Sequence, residues 1–70
     1  MQKYDLYVHC SRGGMSRDSG LHASEDFDND STAISEMRSI VTRDLMHHYD
    51  NVECTIFQGD RKVTTFTICN

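Results

Sequence analysis

Residues 31–49 read STAISEMRSIVTRDLMHHY, and the period of this stretch decides the fold. Ile34, Met37, Val41, Leu45 and His48 fall on one stripe, flanked by Ala33 and Ile40, while Glu36, Ser39, Arg43 and His47 take the opposite side. Apolar residues at three- and four-residue intervals give a helix one dry face and one wet face. The spacing predicts an amphipathic helix of about five turns at ~3.6 residues per turn. Asp28, Asp30 and Ser31 stand at its start, where carboxylates and a capping hydroxyl satisfy free N–H groups. His47 and His48 stand at its end, where positive charge is favoured. Asp50-Asn51 closes it, since Asn tolerates a left-handed cap.

On the C-terminal side the pattern changes to a hairpin, with strands over Val52–Gln58 and Lys62–Cys69. A two-residue loop at Gly59-Asp60 would set Phe66 and Ile68 on the face away from Val52, Cys54 and Ile56. A three-residue loop, Gly59-Asp60-Arg61, sets Cys54 opposite Phe66 and Val52 opposite Ile68, and collects the large apolar residues on one face. Burial favours the second register, because a one-residue slip turns every side chain over. On the N-terminal side, Tyr4, Leu6, Val8 and Cys10 alternate with Asp5, Tyr7 and His9, the signature of a half-buried strand. Between that strand and the helix, residues 11–30 hold Gly13, Gly14, Gly20, several serines and the acidic run Glu25, Asp26, Asp28, Asp30. This segment reads as a long, mobile loop.

The expected fold is therefore α+β in the order β-α-β-β, a three-stranded antiparallel sheet with one helix on one face. The last strand is expected in the middle; a parallel pairing of the first two strands is the other arrangement. The expected core is Leu6, Val8, Cys10, Ile34, Met37, Val41, Leu45, Val52, Cys54, Ile56, Phe66 and Ile68. The second face of the sheet has no helix to cover it and carries Tyr7, His9, Glu53, Thr55, Phe57, Val63, Thr65 and Thr67. Tyr7, Phe57 and Val63 are large enough to form an exposed apolar patch, unless the long loop folds over them or two copies pair through this face as a homodimer.

Length and charge narrow the function. Seventy residues make one small domain, with 7 Lys and Arg against 11 Asp and Glu, a net charge of -4. No apolar run suits a membrane span, and Met1-Gln2-Lys3-Tyr4-Asp5 lacks the apolar stretch of a signal peptide, so a cytoplasmic protein is expected. The 3 cysteines, Cys10, Cys54 and Cys69, are odd in number and read as buried free thiols.

Four motifs bear on function. The string VHCSRG at Val8–Gly13 resembles the phosphate-binding loop of protein tyrosine phosphatases, which implies a Cys nucleophile and an Arg anion clamp. One residue too many separates Cys10 from Arg17, no helix signal follows, and Cys10 has the parity of Leu6 and Val8. The acidic stretch Asp26-Phe27-Asp28-Asn29-Asp30 resembles the front of an EF-hand loop, but Ser31 stands where that loop needs Gly, and Glu36 misses the closing position. Cysteines and histidines lack zinc spacing. For nucleic acid, Lys3, Arg12, Arg17, Arg38, Arg43, Arg61 and Lys62 are dispersed, although Tyr7 and Phe57 on a sheet face could stack bases. No catalytic residues, cofactor or metal are expected.

The expected function is a non-enzymatic binding protein with Tyr7, Phe57, Val63, Asp26, Asp28 and Asp30 as partner-binding residues. Carboxylates favour a partner with a basic surface, and nucleic-acid-handling proteins carry such surfaces. In size, charge and architecture the chain resembles the small phage and mobile-element inhibitors of the anti-CRISPR type. That resemblance implies a nucleic-acid-guided effector complex as the target, occluded by a protein without catalytic residues. A small nucleic-acid-binding regulator is the alternative.

Overall fold

Gly13 and Gly14 both sit at positive φ, 62° and 77°, and between them the chain reverses. Arg12 and Met15 pair directly across this turn, the geometry that two consecutive left-handed residues impose on a tight hairpin. The segment expected as a loop is thus the second strand of a hairpin. The computed structural model describes all 70 residues. Its elements are β1 (Gln2–Arg12), β2 (Met15–Phe27), α1 (Asp30–Asp44), β3 (Asn51–Gln58) and β4 (Arg61–Cys69).

The class is α+β with one helix and an antiparallel sheet, but the sheet has four strands, in the order β2-β1-β3-β4. Two expectations are corrected by β2. The last strand lies at an edge, not in the middle, and β1 pairs antiparallel with β3. The reason is directional. With β2 inserted, the chain has already reversed once before the helix, so the helix delivers β3 opposite in sense to β1.

β2 shows no alternation because it is an edge strand whose inward positions are small or polar until Phe27, at its end, packs on the core beside Tyr4. Ala23 lies opposite Leu6, Gly20 opposite Val8 and Asp18 opposite Cys10. Register shifts between Leu6 and Tyr7, and between Cys10 and Ser11, break the period further.

At the C-terminal hairpin the register is the one burial demanded: Val52 faces Ile68 and Cys54 faces Phe66. The turn reaches it differently. Gln58 pairs with Arg61 across Gly59-Asp60, and a register shift beside Val63 supplies the missing residue. Gly59 takes φ 61°, so the turn itself needs glycine there.

The helix stops at Asp44, earlier than Tyr49, and its cap is Asn29, whose side chain accepts from the Thr32 N–H at 2.9 Å. Its buried face is Ala33, Met37, Ile40 and Val41. The stripe is therefore rotated toward the residues read as its flank, and His48 is exposed beyond the last turn. The core adds Tyr4, Ala33 and Ile40 to the expected set. Val8, Ile34, Leu45, Phe66 and Ile68 pack against it half-buried. Tyr4 has the parity of Leu6 and is fully enclosed.

Asp50 ties the far end together. Its carboxylate accepts the Gly13 N–H at 2.8 Å, its N–H donates to the Ser11 carbonyl at 2.9 Å, and its carbonyl accepts from Asn70 at 2.9 Å. No helix is long and apolar enough to cross a membrane.

Candidate functional site

α1 covers one face of the sheet and nothing covers the other. Strand parity sends Asp5, Tyr7 and His9 from β1 to this open face. Their register partners follow: Ser24, Leu21 and Ser19 from β2, and Phe57, Thr55 and Glu53 from β3. Tyr7 and Phe57 stand diagonally across the β1–β3 ladder, and their rings meet edge to face with centroids 5.7 Å apart at 88°. That is a favoured aromatic geometry. Tyr7 remains 42% exposed and Leu21, its partner on the other side, 56% exposed. Together they make an apolar strip that runs from the edge strand β2 across β1 to β3. Leu21 belongs to this strip and was missed by sequence reading, because the segment around it does not alternate.

Val63 is placed elsewhere. At the β4 register shift it packs against the core cluster and does not join Tyr7 and Phe57. A one-residue shift turns a side chain to the other face, and here it removes Val63 from the open one.

An open hollow of about 360 Å³ adjoins the aromatic pair, lined by Asp5, Tyr7, Phe57, Gly59 and Asp60. Asp5 accepts the Ser24 hydroxyl at 2.5 Å through one oxygen; its other oxygen has no partner within the chain. At the opposite end of the face, the His9 Nε2 lies 2.9 Å from the Ser16 Oγ.

The three aspartates do not form one free cluster. Asp26 is exposed at the end of β2 with Lys3 as its register partner, and Asp28 is exposed in the connection to α1. Asp30 is engaged. The Tyr4 hydroxyl donates to it at 2.7 Å, and Arg61 donates through both terminal nitrogens, at 2.9 and 3.1 Å. The Arg61 guanidinium first, and the Tyr4 hydroxyl second, hold the Asp30 carboxyl below its ordinary value of 3.8. The bond to Asp30, and then burial, push the Tyr4 hydroxyl above 10.0.

The phosphatase-like string has a structural role. Cys10 lies on the helix side of β1 with 1% exposure, and burial, then the nearby Asp18, raise its thiol above 9.0. A nucleophilic cysteine needs the opposite shift. Gly13-Gly14 forms the hairpin turn in place of an anion cradle. The EF-hand-like stretch is divided among β2, the Asn29 cap and the Tyr4–Asp30–Arg61 cluster. Cys54 is likewise buried, its thiol pushed up to about 11 chiefly by burial. Cys69, expected inside, is exposed on the edge strand and donates to the Asn51 side chain at 2.9 Å.

Comparison with protein-family models, curated proteins and solved structures gives no match.

Proposed function

We propose that this chain is a non-enzymatic binding protein that lays the open face of its sheet on a basic, nucleic-acid-handling protein complex and occludes it, as small anti-CRISPR-type inhibitors do. The observation that carries this reading is the exposed Tyr7–Phe57–Leu21 strip on a face that no element of the chain covers. Aromatic side chains at the centre of a patch supply most of the energy of an interface, on the order of 2 kcal/mol or more each when truncated. Around the strip, Asp5, Asp26, Glu53 and Asp60 outnumber Lys3 and Lys62. Such a rim speeds association with a cationic surface. In this reading the complex is a nucleic-acid-guided effector, and the chain works in the cytoplasm.

The alternative, a small nucleic-acid-binding regulator, has less to work with. Arg61 is held by Asp30, Arg43 by Asp44, and Arg38 lies 4.4 Å over the Phe66 ring on the helix side. The edge-to-face setting of Tyr7 and Phe57 also does not offer two parallel stacking platforms.

The test is capture from the native host on immobilised protein, with the wild type and a Tyr7→Ala/Phe57→Ala variant in parallel. The reading expects a nucleic-acid-handling complex retained by the wild type alone. A chain that retains nucleic acid without protein supports the regulator. A stable dimer that occupies the open face, and retains nothing, contradicts both.

A further inference from the structure

We propose that the hollow beside Tyr7 and Phe57 is a receptor for a single guanidinium group, an arginine side chain presented by the protein partner. This rests on the reading of the open face as the binding surface, and it names the chemistry by which that surface recognises its partner.

The lining has the two components that a guanidinium requires. Tyr7 and Phe57 supply aromatic surface, and a cation over a ring face is attracted by the ring quadrupole. Asp5 and Asp60, two residues that carry carboxylates, line the same hollow. The Ser24 hydroxyl fixes one Asp5 oxygen at 2.5 Å and leaves the other for a ligand, while Asp60 makes neither a hydrogen bond nor an ion pair within the chain. Gly59 lines the hollow as bare backbone, and beyond its two chain neighbours no residue comes within 4 Å of where its Cβ would be. The volume of about 360 Å³ is at the lower end of ligand sites, suited to one side chain.

The chain does not fill this hollow with its own cations. The Arg61 guanidinium is turned away to Asp30 and Gln58. Lys62 is the register partner of Phe57 and the cation placed closest by the ladder, yet it forms no ion pair with Asp5 or Asp60. A planar guanidinium can lie against a ring and still direct N–H groups sideways to two carboxylates; an ammonium cannot do both. Arginine is accordingly the preferred occupant.

The experiment is an NMR titration of the full chain with end-blocked Gly-Arg-Gly, Gly-Lys-Gly and Gly-citrulline-Gly, the last matching arginine in shape without its charge. Saturable shifts at Tyr7, Phe57, Asp5 and Asp60 are expected with the arginine peptide, weaker ones with lysine and none with citrulline. Asp5→Asn/Asp60→Asn should weaken the arginine peptide by about tenfold while the spectrum keeps its dispersion. Lys62→Gln should tighten it. Absence of saturable shifts, or equal binding of citrulline or lysine, overturns the proposal. The same carboxylate variant in the capture experiment separates the two readings. If the aromatic variant loses the partner and the carboxylate variant retains it fully, the open face stands and the guanidinium receptor falls. If the arginine peptide binds but no partner depends on the aromatics, the receptor stands and the proposed function falls.

Discussion

The hydroxyl of Tyr4 donates a 2.7 Å hydrogen bond to the carboxylate of Asp30, joining the start of β1 to the first turn of α1. Arg61 brings the β3–β4 turn to the same carboxylate, so one aspartate gathers three elements. The Asp30 carboxyl is held below 3.8 in the folded chain, by Arg61 first and Tyr4 second. The unfolded chain therefore binds this proton more readily, and the stability Asp30 contributes is present above the unfolded value and lost as pH falls through the folded one. Thermal melts should show a decline below about pH 4. Asp30→Asn should melt lower at neutral pH and show a smaller change across that acid window. Equal melting of the two proteins at neutral pH would remove the cluster from the fold's support.

The Tyr4 hydroxyl is displaced the other way, above 10.0, by its bond to Asp30 and then by burial. Its contribution is complete below the unfolded value and lost as pH rises through the folded one. Tyr4→Phe should leave the core filled, lower the neutral-pH melting temperature modestly, and flatten the alkaline limb of the stability profile. An alkaline limb identical in both proteins would assign that limb to other groups.

The Gly13-Gly14 turn makes β2. An L-residue forced to left-handed backbone costs about 1–2 kcal/mol, so Gly13→Ala with Gly14→Ala should loosen β2 selectively. Amide exchange is the measurement: β2 protection should fall while the β1–β3 ladder stays protected. Uniform exchange in both proteins would contradict the turn's role.

This strand also marks the limit of what the sequence makes legible. The helix, β1 and the β3–β4 register follow from apolar period, because each turns a large side chain toward the core. β2 does not. Its inward positions Asp18, Gly20 and Ala23 are small or polar, only Phe27 at its end brings a large apolar side chain to the core, and most of its length is held by backbone hydrogen bonds that leave no apolar pattern. The tandem Gly13-Gly14 is equally consistent with a mobile loop and with a tight turn, and the structure shows the turn. That turn alone separates a four-stranded sheet with β4 at its edge from the expected three-stranded one with the last strand in the middle. At the site, Tyr7 and Phe57 were legible from parity. Val63 was not, because a register shift is invisible to parity, and Leu21 was hidden with the rest of β2. The engagement of Asp30 depends on Tyr4 and Arg61, distant residues that no local spacing connects.

Val41 has no exposure, whereas Leu45 caps the helix half-buried. Val41→Asp should unfold the domain, since an unpaired buried carboxylate costs several kcal/mol, about the whole stability of a small domain. Leu45→Asp should destabilise less, and chemical denaturation would rank the two. A cooperative melt unchanged by Val41→Asp would remove the helix from the core.

Thiol chemistry should follow exposure. Cys69 should react first with an alkylating reagent under native conditions, and Cys10 and Cys54 only on unfolding, because both are buried with raised thiols. Cys10→Ser should cost about 1–3 kcal/mol by burying a hydroxyl, and leave partner binding unchanged. Hydrolysis of an aryl phosphate that disappears with Cys10→Ser would overturn the structural role given to this residue.

We propose above that the open face binds and occludes a nucleic-acid-handling complex. The most direct measurement is nucleic-acid binding by that complex, followed by gel shift, with increasing wild-type chain or Tyr7→Ala/Phe57→Ala variant at low and high salt. The wild type should displace nucleic acid at both salt levels, and the folded aromatic variant should fail at both. Asp26→Asn/Asp28→Asn should slow displacement chiefly at low salt, where charges are not screened. Displacement by the aromatic variant as effective as that by the wild type would contradict the account, because the strip of Tyr7, Leu21 and Phe57 would then not be the surface in contact.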